Sequence, residues 1–99
     1  MTTEIRLLIL IEVLPSRRDE QIAAFAAIAP LVRAEAGCLQ YDLHEVNGKP
    51  EQFVLIERWS SQAALDAHDI APHMLAAAAG NRRFRSGPVQ LIALGSALN

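Results

Sequence analysis

Asn47-Gly48-Lys49-Pro50 separates two runs of alternating residues, and that arrangement leaves little choice of local structure. Before it, residues 38–46 put Leu39, Tyr41 and Leu43 on one face and Gln40, Asp42 and His44 on the other, the period of a half-buried strand. After it, residues 52–59 divide into Phe53, Leu55, Glu57 and Trp59 against Val54, Ile56 and Arg58. Asn and Gly tolerate the positive φ that a tight turn between antiparallel strands requires, so the two runs predict a hairpin. On its second strand the tryptophan shares a face with a phenylalanine and a carboxylate.

The flanking segments complete a pattern. Residues 5–14 are almost continuously apolar and end at Pro15, as expected of a strand covered on both faces. Ser16-Arg17-Arg18-Asp19 reads as a serine cap with an acid at the third helical position. Ile22, Phe25, Ala26, Ala29 and Val32 recur at helical spacing, so a helix is expected to about residue 36, bent or broken at Pro30 and closed by a left-handed Gly37. Ser60-Ser61 caps a second helix to about Asp69, Pro72 opens a third through the alanines at 76–79, and residues 89–94 form a last strand. The order is β-α-β-β-α-β, the ferredoxin-like α+β pattern of a four-stranded antiparallel sheet with helices on one face. Leu8, Leu10, Val54 and Ile56 make the strands apolar on the opposite face as well, so a cover is expected there, most simply a second copy of the chain.

Ninety-nine residues suit a single domain over 1–99, since two halves would each be too small for a stable core. A hydrophobic fraction of 52% with only five glycines and five prolines excludes a disordered or collagen-like chain. Nine basic against eleven acidic residues give a net charge of −2, which offers no footprint for nucleic acid or an anionic membrane surface. Cys38 is the only cysteine, so neither an intramolecular disulfide nor a cysteine metal cage can form within one chain, in keeping with a reducing cytoplasm. Residues 1–6 lack the pattern of a secretory signal, and the longest apolar stretch, 7–11, is far short of the roughly 20 residues that span a bilayer.

At Glu35-Ala36-Gly37-Cys38-Leu39-Gln40-Tyr41, Phe53-Val54-Leu55-Ile56-Glu57-Arg58-Trp59-Ser60-Ser61, Ala64-Leu65-Asp66-Ala67-His68 and Pro72-His73, the chain resembles the antibiotic biosynthesis monooxygenase (ABM) family. The resemblance runs from the first strand to the last. It implies a dimeric α+β barrel and a range of activities: cofactor-independent oxygenation of hydroxylated aromatics and quinols, haem degradation, or isomerisation of a phosphorylated signal molecule. Ala36 stands where the family commonly has proline. The first strand has no asparagine and the helix carries His68 rather than tryptophan, a departure from the haem-degrading branch that disfavours haem cleavage.

The candidate chemistry follows from residue type and position. His68 and His73 are five residues apart, whereas two metal ligands on one helical face want three or four, so a zinc pair is not expected. With Pro72 at the first helical position, His73 falls in the first turn, where the helix dipole disfavours imidazolium and leaves a neutral base. His68 or His73 is thus the candidate general base, and capping or surface roles are the alternative. Trp59, Tyr41 and Phe53 can line a pocket for a flat ligand, with the Trp N–H and Tyr O–H fixing its orientation, or can be plain core. Glu57, an acid on an inward face, must be paired, hydrogen-bonded or shifted in pKa; it can orient a histidine or pair with an arginine. Arg82, Arg83 and Arg85 form a basic cluster in a glycine-flanked loop, either solvated or, through Arg83 and Arg85, holding a ligand's carboxylate or phosphate. No glycine-rich phosphate loop or metal-ligand cluster is present, so no cofactor and no metal are expected. With these residues in place, the resemblance implies a cofactor-free monooxygenase acting on a small or polycyclic hydroxyaromatic or quinol with O2, as a homodimer. An isomerase of a small metabolite and a non-catalytic binding dimer are the alternatives.

Overall fold

A computed structural model describes residues 4–99; Met1–Thr3, part of the expectation about export, lie outside the described residues. The elements run β1 (Ile5–Glu12), α1 (Arg18–Arg33), β2 (Cys38–Val46), β3 (Lys49–Trp59), α2 (Gln62–Asp69), α3 (Pro72–Asn81) and β4 (Gln90–Leu94). They form one antiparallel sheet in the order β2-β3-β1-β4, the ferredoxin-like arrangement. The hairpin turn is Asn47-Gly48, with Gly48 at φ +76°. β2 slips register between Cys38 and Gln40, so Leu39 is bulged out and 48% exposed while Tyr41 and Leu43 keep the helix-side face.

Parity decides which side chains meet the helices. Leu7 and Ile11 of β1, Tyr41 of β2, and Phe53, Leu55, Glu57 and Trp59 of β3 are all buried on that face. Ala29 and Val32 of α1 close onto them, with Phe84 from the loop after α3. The opposite face is apolar and uncovered. Leu10, Ile92 and Leu94 there are 37%, 39% and 47% exposed, beside half-buried Leu8, Val54 and Ile56.

Two local expectations are corrected. Ser16 does not cap α1: it sits at φ +67° in a turn closed by Arg17 N–H donating to Leu14 O at 3.1 Å. The helix begins at Arg18 with no side-chain cap, and the Arg17 side chain pairs with Glu20 instead. Nor does Pro30 break α1, which is continuous to Arg33. Proline lacks the N–H that would reach Ala26 O in the preceding turn, yet the helix runs on for three residues beyond it. Ala34 N–H still reaches Pro30 O at 3.2 Å. Residues 34–36 leave the helix, which turns Glu35 toward α2.

Candidate active site

Between the sheet and the helices lies a cavity of about 640 Å3. Ile9, Ile11, Leu43 and Leu55 form its floor, and Phe25 and Ile28 of α1 and Met74 of α3 form its apolar walls. Polar side chains enter at two ends.

His68 marks the first end. α2 starts where Ser61 Oγ accepts the Ala64 N–H at 3.1 Å, as expected of the second serine, and His68 follows in the last turn. The ring is 2% exposed, tilted against Trp59 at 4.5 Å and edge-on to Tyr41 at 5.7 Å between centroids. Its Nδ1 lies 3.1 and 3.0 Å from the two oxygens of Glu35. A carboxylate only accepts, so Nδ1 carries a proton, and in the neutral ring the lone pair is on Nε2. That Nε2 is 3.8 Å from Glu57 Oε1. His68 thus offers the cavity a basic nitrogen whose tautomer is fixed from behind.

Glu35 owes its position to Gly37. At φ +82°, Gly37 adopts a left-handed conformation, and a Cβ there would lie 2.6 Å from both Ala64 Cβ and Ser60 Oγ. Ser60 N–H donates to Gly37 O at 2.8 Å, fastening the turn to the start of α2. Glu35 also takes His73: Nε2 of that ring is 2.6 Å from Glu35 Oε2. His73 lies in the first turn of α3, as the sequence predicts, but its nitrogen is spent on Glu35 and the side chain is absent from the cavity wall. The five-residue spacing spans two helices, which lets both rings converge on one carboxylate.

Glu57 is 3% exposed beside His68. Burial raises its pKa, opposed by the Trp59 Nε1–H donated to Oε1 at 2.9 Å and by the neighbouring His68. Glu35, not Glu57, orients the histidine, and no arginine pairs with Glu57 among the described residues. Trp59 is fully buried, so its N–H serves Glu57 and does not reach the cavity. Tyr41 does line the cavity, stacked on Phe25 at 5.5 Å. Burial and then the Glu57 charge push its phenol well above the usual range, so it remains a donor.

The second end is the loop after α3. Arg85 lines the cavity and donates Nε–H to Gln21 Oε1 at 3.0 Å, while Arg82 stands at the rim. Arg83, two residues from Arg85, is exposed and absent from the wall. Phe53 also falls outside it, 1% exposed in the core under the Arg18 guanidinium at 5.2 Å. Arg83 and Phe53, expected at the ligand, thus lie outside this cavity: the loop turns one arginine out, and β3 carries Phe53 past the end of the chamber. Glu35 and Gln21 are the residues that sequence reasoning missed. Gln21 had left a signal, a polar residue four before Phe25 on the apolar stripe of α1.

A ferredoxin-like α+β domain enclosing a carboxylate-held histidine in an apolar chamber is thereby defined. A sequence model of the antibiotic biosynthesis monooxygenase family matches residues 4–80, and the chain belongs to that family. The Bacillus subtilis protein named "Putative monooxygenase YcnE" is 32% identical over 82 residues, covering 83% of this chain and 86% of its own. The crystal structure of PA3566 from Pseudomonas aeruginosa is 33% identical, with a TM-score of 0.89 over 99% of this chain and 98% of that one. Rv0793 from Mycobacterium tuberculosis is 30% identical, with a TM-score of 0.87 over 97% of each chain.

Proposed function

We propose that this protein is a cofactor-independent monooxygenase that oxidises a hydroxylated aromatic or quinol with O2. The observation that carries the reading is His68: a buried imidazole facing an apolar cavity, its Nδ1 held by Glu35 and its Nε2 free to take a proton. His68 removes a proton from the activated carbon of the substrate, whose hydroxyls stabilise the anion. The anion passes one electron to O2, and the radical pair combines to a peroxide. Loss of the remaining C–H proton with cleavage of the O–O bond gives the carbonyl and water, so a CH2 group and O2 become C=O and H2O. The Tyr41 phenol, kept protonated by its surroundings, donates to the developing oxyanion, and the apolar walls exclude water. The working unit in this reading is a homodimer joined through the open sheet face. Family membership and the name of the B. subtilis relative support the oxygenase class.

The test is oxygen uptake by chelator-treated protein on a panel of quinols and hydroxyanthrones, wild type against His68→Ala. Uptake above autoxidation is expected, falling by about 10²–10⁴-fold in the variant. Uptake at the autoxidation rate with every substrate, or an undiminished rate in the variant, overturns the reading.

A further inference from the structure

Arg85 is an arginine that the fold partly desolvates and that, unlike five others, has no carboxylate partner among the described residues; Arg82 and Arg83 also lack one there but are exposed. Arg6, Arg17, Arg18, Arg33 and Arg58 each pair with a glutamate or aspartate, and all sit toward the surface. Arg85 pairs with no carboxylate among the described residues, where its side chain's one hydrogen bond runs from Nε to the neutral amide of Gln21, itself 2% exposed. A neutral amide orients a guanidinium without neutralising it, and neither Nη group has an acceptor among the described residues, nor is either sealed away from solvent. Taking a charge out of water is costly unless something of opposite sign meets it.

The placement is rigid. Leu14 N–H donates to Phe84 O at 2.8 Å, Ser86 N–H to Glu12 O at 3.0 Å, and Arg85 bridges Val13, which stitches the loop to the end of β1. Phe84 is buried as the anchor. The charged groups of the chamber are also sorted by sign: Glu57 and Asp69 lie beside His68, Arg82 and Arg85 at the other end, and the Tyr41 phenol is influenced by both Glu57 and Arg85.

We propose that Arg85 is the carboxylate-binding residue of the chamber, and that the substrate is a hydroxyaromatic acid whose carboxylate is held bidentately by the guanidinium while its reactive end lies at His68. The guanidinium fork matches a planar carboxylate, and the sign gradient sets the direction of entry. This rests on reading the cavity as the substrate site and names the substrate class that reading leaves open.

The test is calorimetric binding without turnover, in anaerobic buffer, of four probes: a hydroxynaphthoate with its two groups at opposite ends of the ring system, its carboxamide, naphthol, and naphthyl phosphate. Wild type is expected to bind the acid about tenfold or more tightly than the carboxamide. In Arg85→Gln that preference falls to about twofold or less with naphthol affinity kept, and Arg85→Lys is intermediate because it keeps the charge and loses the fork. Melting curves by circular dichroism establish that each variant is folded. Equal binding of acid and carboxamide, a preference that survives Arg85→Gln, tighter binding of naphthyl phosphate than of the acid, or no binding of any probe overturns the assignment. Because oxygen is excluded, a failure here leaves the oxygen-uptake reading standing. Binding of the acid by a protein that consumes no O2 overturns that reading alone.

Discussion

β1 and β3 present opposite chemistry on their two faces, and the distribution reverses what a monomeric sheet would show. The helix-covered face buries a histidine, a glutamate and a glutamine among aliphatic and aromatic side chains. The uncovered face carries Leu8, Leu10, Val54 and Ile56, and Ile92 and Leu94 from β4. An ordinary domain puts polar groups outward and apolar groups inward. Each buried polar group on the covered face is tied to another, His68 to Glu35, Glu57 to Trp59, Gln21 to Arg85, so that face is organised for a ligand and not merely for packing. Among the described residues the polar pairs of the apolar face stand toward its edges, Glu4 with Arg6 and Arg58, and Asp42 with Gln40 and Arg33, and the stretch from β3 across β1 to β4 is fitted to a broad, unspecific burial. A charge should therefore be tolerated on one face of β3 and ruinous on the other.

Ile56→Asp tests that difference at its largest. Ile56 lies opposite Leu8 on β1 and Asp42 on β2, so a carboxylate there sits in the middle of the apolar face and beside a like charge. Sedimentation of the wild type is expected at twice 10.8 kDa, with association weakened about a hundredfold or more in the variant. A wild type that sediments as a monomer breaks the comparison, since the apolar face would then need another cover.

The covered face gives the next effect, with the opposite sign. Glu57 is an acid whose folded-state pKa is raised, chiefly by burial, above its ordinary 4.5. The native state then holds the proton more tightly than the unfolded chain does, so wild-type stability declines as pH rises above about 4.5 toward the folded-state value. Glu57→Gln keeps an oxygen for the Trp59 N–H and removes the titration. The variant is expected to melt higher than wild type at neutral pH, with the gain vanishing at pH below 4.5. Melting curves across that range decide it, and a variant less stable than wild type at pH 7 would mean that Glu57 is held as a welcome charge.

How far these differences could be read in the sequence depends on how local their causes are. Strand parity is local, so the facing of Tyr41, Glu57 and Trp59 followed from alternation, whereas the meeting of His68 with them depends on how α2 packs and shows only in the fold. Position along a strand relative to the helices is not local. Phe53 shares a face with Leu55 and Glu57, yet lies beyond the chamber because α1 begins over it with Arg18. Arg83 and Arg85 looked equivalent until the bridge from Val13 turned one inward. Glu35 was hidden for a related reason: its role depends on α1 ending at Arg33 and on a glycine that lets the turn touch Ala64. Such contacts join segments remote in sequence, and no periodicity records them.

Glu4 supplies the smallest expected effect, at the polar margin of the apolar face. Arg6 and Arg58 are opposite each other across β1 and β3, a like-charged pair that would weaken the ladder. Glu4 bridges them, accepting from Arg6 Nε at 2.6 Å and from Arg58 Nε and Nη2 at 3.0 and 2.8 Å. The two guanidiniums, Arg58 foremost, lower its pKa from 4.5 to about 2. A depressed folded-state value means that the contribution is fully present above pH 4.5 and is lost as pH falls toward 2. Glu4→Gln is therefore expected to lower the melting temperature slightly at neutral pH and low salt, to have an effect that fades as pH falls through about 2, and to lose most of its effect near 1 M salt, where the Debye length is about 3 Å. If this loss instead exceeds the gain from Glu57→Gln, charge at the rim and not apolar burial at the centre would govern the open face, and the contrast between the two faces would have to be redrawn.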